Sequence, residues 1–271
     1  MSTEIALAPV QHRYPQPVFE PAEQFPYGWR YIQHVASDGA VKVEQQPLTI
    51  EDVLHPEEHD QVTHSDAHQR RRRYLCNVLE AQVAHDPQTL VLDDVRIKWD
   101  TPALKPHGPD IMVIRGVRER KNWSTFDVAA EGVRPLLIIE ITSPETRALD
   151  LTFKLEEYDL AGVPLYIIVD SVQRRGRDIV RLLGYRQSAS AYDVLPPDSN
   201  GRLVLNELGL SLAVEDDELV CYNAAGQKLY DYAALDTARV TAEQRAAAAE
   251  AQIRALQAEL HALRGEAQAP E

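Results

Sequence analysis

The run Leu136-Leu137-Ile138-Ile139 constrains this chain most. Side chains alternate along a strand, so four consecutive apolar residues supply both faces, as in a central strand covered on both sides. Residues 111–114 and 165–169 have the same character, and with residues 136–141 they make the predicted centre of a sheet. A helix over about 151–161 is predicted between the second and third strands, with Asp150 as N-cap and Gly162 as its stop. A longer helix near 65–84 precedes the sheet. His68, Arg72, Leu75, Val78, Leu79 and Val83 form its stripe, and its polar N-terminal end faces either solvent or a polar cleft. Residues 90–99 read as one strand, and weaker strands are predicted at about 179–185, 192–195, 203–205 and 218–222. The fold class is α/β (α+β), with a mixed central sheet flanked by helices.

The organisation is tripartite: a Pro-rich arm over 1–46, a principal domain over 47–235, and a C-terminal helix and tail over 236–271. The arm has Pro9, Pro15, Pro17, Pro21 and Pro26 and lacks periodicity, which predicts an extended segment. In the tail, Ala242, Ala246, Ala249, Ile253, Leu256, Leu260 and Leu263 alternate steps of four and three, a heptad seam. Two readings stand for it, self-association into a homo-oligomer or a solvated helix.

No apolar run approaches the ~20 residues that span a bilayer, and the start has no basic head followed by an apolar stretch. The two cysteines, Cys76 and Cys221, have neither zinc-ligand nor redox spacing, so a reduced, cytoplasmic protein is the expectation. The net charge of −14 opposes a uniformly DNA-binding surface. Basic residues nevertheless cluster at Arg70–Arg73, at Arg115, Arg118, Arg120 and Lys121, and at Arg174–Arg181.

Asp110 and Glu140 are the candidate catalytic carboxylates, because each lies at an end of an apolar strand, where desolvating it is costly without a positive partner. A hard cation, magnesium or manganese, would serve; a turn-capping Asp and an arginine-paired Glu are the alternative. Lys154 falls in the apolar stripe of its helix with Leu151, Leu155 and Tyr158, so it either reaches the carboxylates or snorkels to an edge. Alternation puts Thr142 on the face of Glu140, with the Ile141 carbonyl nearby. The segment holding Arg115, Arg118, Arg120, Lys121 and Trp123 has the composition of a loop that touches phosphates, or of a solvated one. His68 could orient a water or a phosphate, or be structural.

Pro109-Asp110, Glu140-Ile141-Thr142-Ser143-Pro144, Asp150 with Lys154 and Tyr158, and Gly162-Val163-Pro164 with Tyr166 and Asp170 together resemble the Uma-two family of bacterial proteins. That family is placed with restriction endonucleases in the PD-(D/E)XK nuclease superfamily. The resemblance covers roughly residues 48–220 and implies a magnesium site at Asp110 and Glu140, with the Ile141 carbonyl as a further ligand. It also implies endonuclease cleavage of DNA by metal-activated water, with Lys154 as the catalytic lysine. The superfamily lysine normally comes two residues after the Glu, where this chain has Thr142; Lys154 on the next helix takes its place. A nuclease-fold protein that binds or regulates without cutting is the alternative.

Overall fold

The computed structural model describes residues 25–35, 39–62, 64–144, 146–174 and 177–266. Strands β1 (Trp29–Val35) and β2 (Val41–Pro47) form an antiparallel hairpin and are followed by helices α1 (Ile50–Leu54) and α2 (Asp66–Val83). Then come β3 (Thr89–Asp93), β4 (Arg96–Lys98), β5 (Ile111–Arg115), β6 (Thr125–Asp127), α3 (Val128–Glu131) and β7 (Pro135–Ile141). Helices α4 (Arg147–Leu151) and α5 (Phe153–Leu160) lead to β8 (Leu165–Arg174), β9 (Arg177–Gln187) and β10 (Tyr192–Val194). Strands β11 (Leu203–Leu205), β12 (Leu210–Glu215), β13 (Glu218–Asn223) and β14 (Lys228–Leu229) precede α6 (Tyr232–Glu266).

The central sheet has six strands in the order β10-β9-β8-β7-β5-β3. Its one parallel pair, β7 with β8, needs a crossover, and α4 and α5 provide it. The apolar run of β7 divides as alternation requires. Leu137, Ile139 and Ile141 join a core with Leu75, Val78 and Leu79 of α2 and with the antiparallel sheet β11-β12-β13-β14. Ile138 joins a second core with Phe126, Tyr158 and Tyr166 on the opposite face. Burying each such side chain stabilises by ~1.5–3 kcal/mol before conformational entropy is counted.

Four local differences from the sequence reading have physical causes. Where the sequence predicts an extended arm over about the first thirty residues and no strands before residue 47, β1 and β2 form a hairpin, fastened by Arg30 to Asp52, Glu57 and Asp60 of the α1 region; residues 1–24 of the Pro-rich arm lie outside the described residues. Gly28 enters this hairpin at φ +97, and a Cβ there would sit 2.0 Å from the Gln61 carbonyl oxygen. The single strand expected over 90–99 is broken by Asp94 at φ 55, and β4 pairs instead with β6 in a separate parallel pair. The helix expected over 151–161 is two helices, interrupted at Thr152 (φ −131, ψ −81), and Asp150 lies inside α4 and does not cap α5. The tail helix begins at Tyr232, nine residues before Thr241, where the sequence pattern predicts its start. No helix among the described residues is long and apolar enough to cross a membrane.

Candidate active site

Asp110 immediately precedes β5 and Glu140 is the next-to-last residue of β7. Those strands are antiparallel with Ile111 opposite Ile139, so both carboxylates emerge at one end of the sheet. Glu140 turns toward α5, where its Oε1 accepts a hydrogen bond from the Tyr158 hydroxyl at 2.7 Å and lies 3.1 Å from Lys154 Nζ. Asp110 is held from the other side: its Oδ2 accepts from the Ile141 N–H at 2.8 Å and its Oδ1 lies 2.8 Å from His68 Nε2 on α2. The Asp110 N–H donates to Glu140 Oε2 at 3.4 Å and joins the two halves.

Lys154 also contacts Asp150 Oδ1 at 2.8 Å, one helical turn earlier. The ammonium is thus buried between two carboxylates, with Asp110 close by. Burial pushes Glu140 up from its usual 4.5 to about 8, against the opposing pull of Lys154. Burial also raises Asp150. Burial acts on Asp110 in the same sense, but the His68 hydrogen bond, Lys154 and the Ile141 N–H outweigh it and leave Asp110 below its usual value. Burial alone would lower Lys154, but the carboxylates of Asp150, Glu140 and Asp110 hold it above its ordinary value. One lysine faces more carboxylate than it can neutralise, and a divalent cation would relieve that excess.

Two His–carboxylate groups among the described residues have ligand atoms within 4.8 Å of one another: His64, His68 and Asp110, and His55, His107 and Glu157. The second is closed by its tautomer. Trp99 Nε1–H can only donate, and it donates to His107 Nδ1 at 2.8 Å. The neutral ring then carries its proton on Nε2, which gives it to Glu157 Oε2 at 2.5 Å, so no lone pair remains for a metal. The first group is open. With Nε2–H directed at Asp110, His68 keeps a buried Nδ1 without a hydrogen-bond partner, and the His64 ring stacks on it at 4.2 Å. The donor set of this end of the sheet therefore fits a cation.

The structure brings Asp110, Glu140, Lys154, Tyr158, His68 and the Ile141 backbone together. It does not bring Thr142 to the cluster: its hydroxyl donates to Asp170 Oδ1 at 3.1 Å and accepts from the Ser171 N–H. Nor does it bring the basic loop. Arg115 ends β5 and donates to the Glu207 carbonyl, about 17 Å along the strand from Asp110 at ~3.3 Å per residue. Arg118 and Arg120 follow it into an exposed loop, and Lys121 pairs with Glu131 at 2.9 Å. At the site's own end stand Arg147 and Arg181, both on the buried Asp170. The sequence reading had Arg181 only as part of a basic cluster, and it missed Arg147, His64 and the side-chain role of Asp150. The i,i+4 spacing of Asp150 and Lys154 was the signal that could have exposed the last.

Residues 56–215, more than half of the chain, match the model of the Uma2 family, described as "Putative restriction endonuclease". The chain belongs to the Uma2 family. The Uma2 match includes every residue of the carboxylate–lysine cluster. Among solved structures, the chain is similar to the crystal structure of a "putative nuclease belonging to DUF820" from Anabaena variabilis ATCC 29413. Identity there is 15% and the TM-score 0.41, over 60% of this chain and 91% of that one. No curated protein matches.

Proposed function

We propose that this Uma2 chain is a metal-dependent endonuclease that hydrolyses phosphodiester bonds of nucleic acid, with DNA as the primary substrate. The observation that carries this reading is the convergence of Asp110, Glu140 and Lys154 at one end of the sheet, with carboxylate in excess of cation. Asp110 and Glu140 would hold magnesium or manganese with the Ile141 carbonyl, and His64 and His68 extend the donor set beside Asp110. A bound cation lowers the pKa of water and polarises a phosphate oxygen. The protein's own groups do the rest. His68 and the Ile141 N–H fix the two oxygens of Asp110, and Tyr158 fixes Glu140. Asp150 aims the Lys154 ammonium and keeps it protonated, ready for the charge that develops on phosphate. Arg147 and Arg181, partly exposed at this end, are the nearer phosphate contacts, and Arg118, Arg120 and Lys121 serve a more distant stretch of backbone.

The test is cleavage of plasmid, single-stranded DNA and RNA with magnesium or manganese, comparing wild type with Asp110→Ala. Cleavage by wild type alone supports the reading. A second reading, binding without cleavage, draws on the clamping of Lys154 between Glu140 and Asp150. Retained binding with no cleavage under any divalent cation would select it.

A further inference from the structure

Helix α6 runs for 35 residues, about 52 Å at ~1.5 Å per residue, and every described residue from Ala242 to Leu260 is exposed. Ile253, Leu256 and Leu260, the large residues of the heptad seam, are 54%, 56% and 49% exposed. Helices draw most of their stability from packing an apolar stripe, and here the domain supplies no packing surface. We infer that two copies of this chain pair through α6 in a parallel, in-register coiled coil that sets the two principal domains side by side. This inference does not depend on the nuclease reading.

The register follows from the seam. Steps of three run from a to d and steps of four from d to a, so Ala246, Ile253 and Leu260 occupy a, and Ala242, Ala249 and Leu256 occupy d. Ile253 at a followed by Leu256 at d is the pairing that favours two parallel strands. Flanking charge agrees. In a parallel pair each g residue meets the e residue five positions on in the other helix, which sets Arg245 against Glu250 and Gln252 against Gln257. Glu250 has only a long 3.7 Å contact to Arg254 within its own helix, so it is available across the seam. Arg239, on the seam one heptad before Ala246, is held by Asp236 and Glu243 of its own helix, which marks where the apolar seam begins. The same sequence supplies both sides of every contact, and this selects a second copy as the occupant.

The experiment is sedimentation of the full chain, with thermal unfolding run on each variant as a check on the domain. Wild type should have twice the 30.5 kDa monomer mass. Leu256→Glu with Leu260→Glu should give a monomer whose domain still unfolds cooperatively. Glu250→Arg should weaken the dimer by about tenfold by setting like charges across the seam, and adding Arg245→Glu should restore it. Ala242→Cys should cross-link under mild oxidation, because d meets d in register far from the seam's centre; Cys76, half-buried, and Cys221, buried, serve as background in the parent protein. A monomeric wild type, or a dimer indifferent to the leucine pair, overturns the inference. A dimer in which Ala242→Cys fails to cross-link overturns the parallel arrangement.

Discussion

Lys154 Nζ lies 3.1 Å from Glu140 Oε1 and 2.8 Å from Asp150 Oδ1, with all three side chains buried. A buried ammonium bridging two carboxylates is costly to desolvate, and removing it leaves charge that nothing compensates. The lysine therefore serves folding as well as the chemistry proposed for it.

Lys154→Met should lower stability by about 3 kcal/mol in urea unfolding, the scale for breaking a buried pair. Combining it with Glu140→Gln should return part of that loss, because the orphaned carboxylate goes too. Additive losses would show that the two side chains do not interact. Cleavage should fall in the single variant, whereas cutting at the wild-type rate would make Lys154 purely structural.

Stability should depend on pH through Glu140. Its carboxyl is raised in the folded protein, so folding takes up a proton between the usual 4.5 and about 8. That contribution is full below pH 4.5 and is lost as pH rises through about 8. Asp150 acts in the same sense, and Asp110, which is lowered, acts in the opposite sense at acid pH. Metal-free wild type should lose up to ~1.4 kcal/mol per pH unit across that window, the limit for one proton. Glu140→Gln should flatten the profile; an unchanged slope would assign it to other groups.

Magnesium or manganese should raise Tm of the wild type, by about 2.7 kcal/mol of stabilisation at a hundredfold excess over the dissociation constant. Asp110→Asn and Glu140→Gln should each abolish most of this shift, whereas His107→Gln should keep it, since that ring has no lone pair to offer. Equal shifts in all three variants would place the ion elsewhere.

Neutralising Arg147 and Arg181 should weaken DNA binding and make its salt slope shallower by roughly one unit for each phosphate that is no longer neutralised. Neutralising Arg118, Arg120 and Lys121 should raise KM and leave kcat in place, because that loop is about 17 Å along β5 from Asp110 at ~3.3 Å per residue. A fall in kcat in the triple variant would argue for a loop that reaches the chemistry.

Truncation before Thr241 should leave a cooperatively unfolding domain, since the described part of the helix beyond that point is exposed. Loss of cooperativity, followed by calorimetry, would show that α6 supports the core.

The centre of this fold was legible because Leu136–Ile139 can be satisfied only by two buried faces, and those residues do divide between the two cores. Lys154 was legible as a charge inside an apolar stripe. The hairpin was not: Val35, Val41 and Val43 stay exposed, so no burial pattern marks it. Asp150 was hidden by its chemistry, because an aspartate before an apolar helix is also what an N-cap looks like. Thr142 misled because alternation gives a face and not a partner, and its hydroxyl is taken by Asp170 and the Ser171 N–H of the neighbouring strand. The position of the basic loop depends on which end of β5 faces the site, and charge clustering does not reveal that.

Asp110 receives His68 from a helix docked on one core, while Glu140 receives Lys154 and Tyr158 from a helix docked on the other. A chain in which either helix is not seated on the sheet lacks half of the cluster. The proposed cutting activity would therefore need both layers seated on the sheet before it could begin.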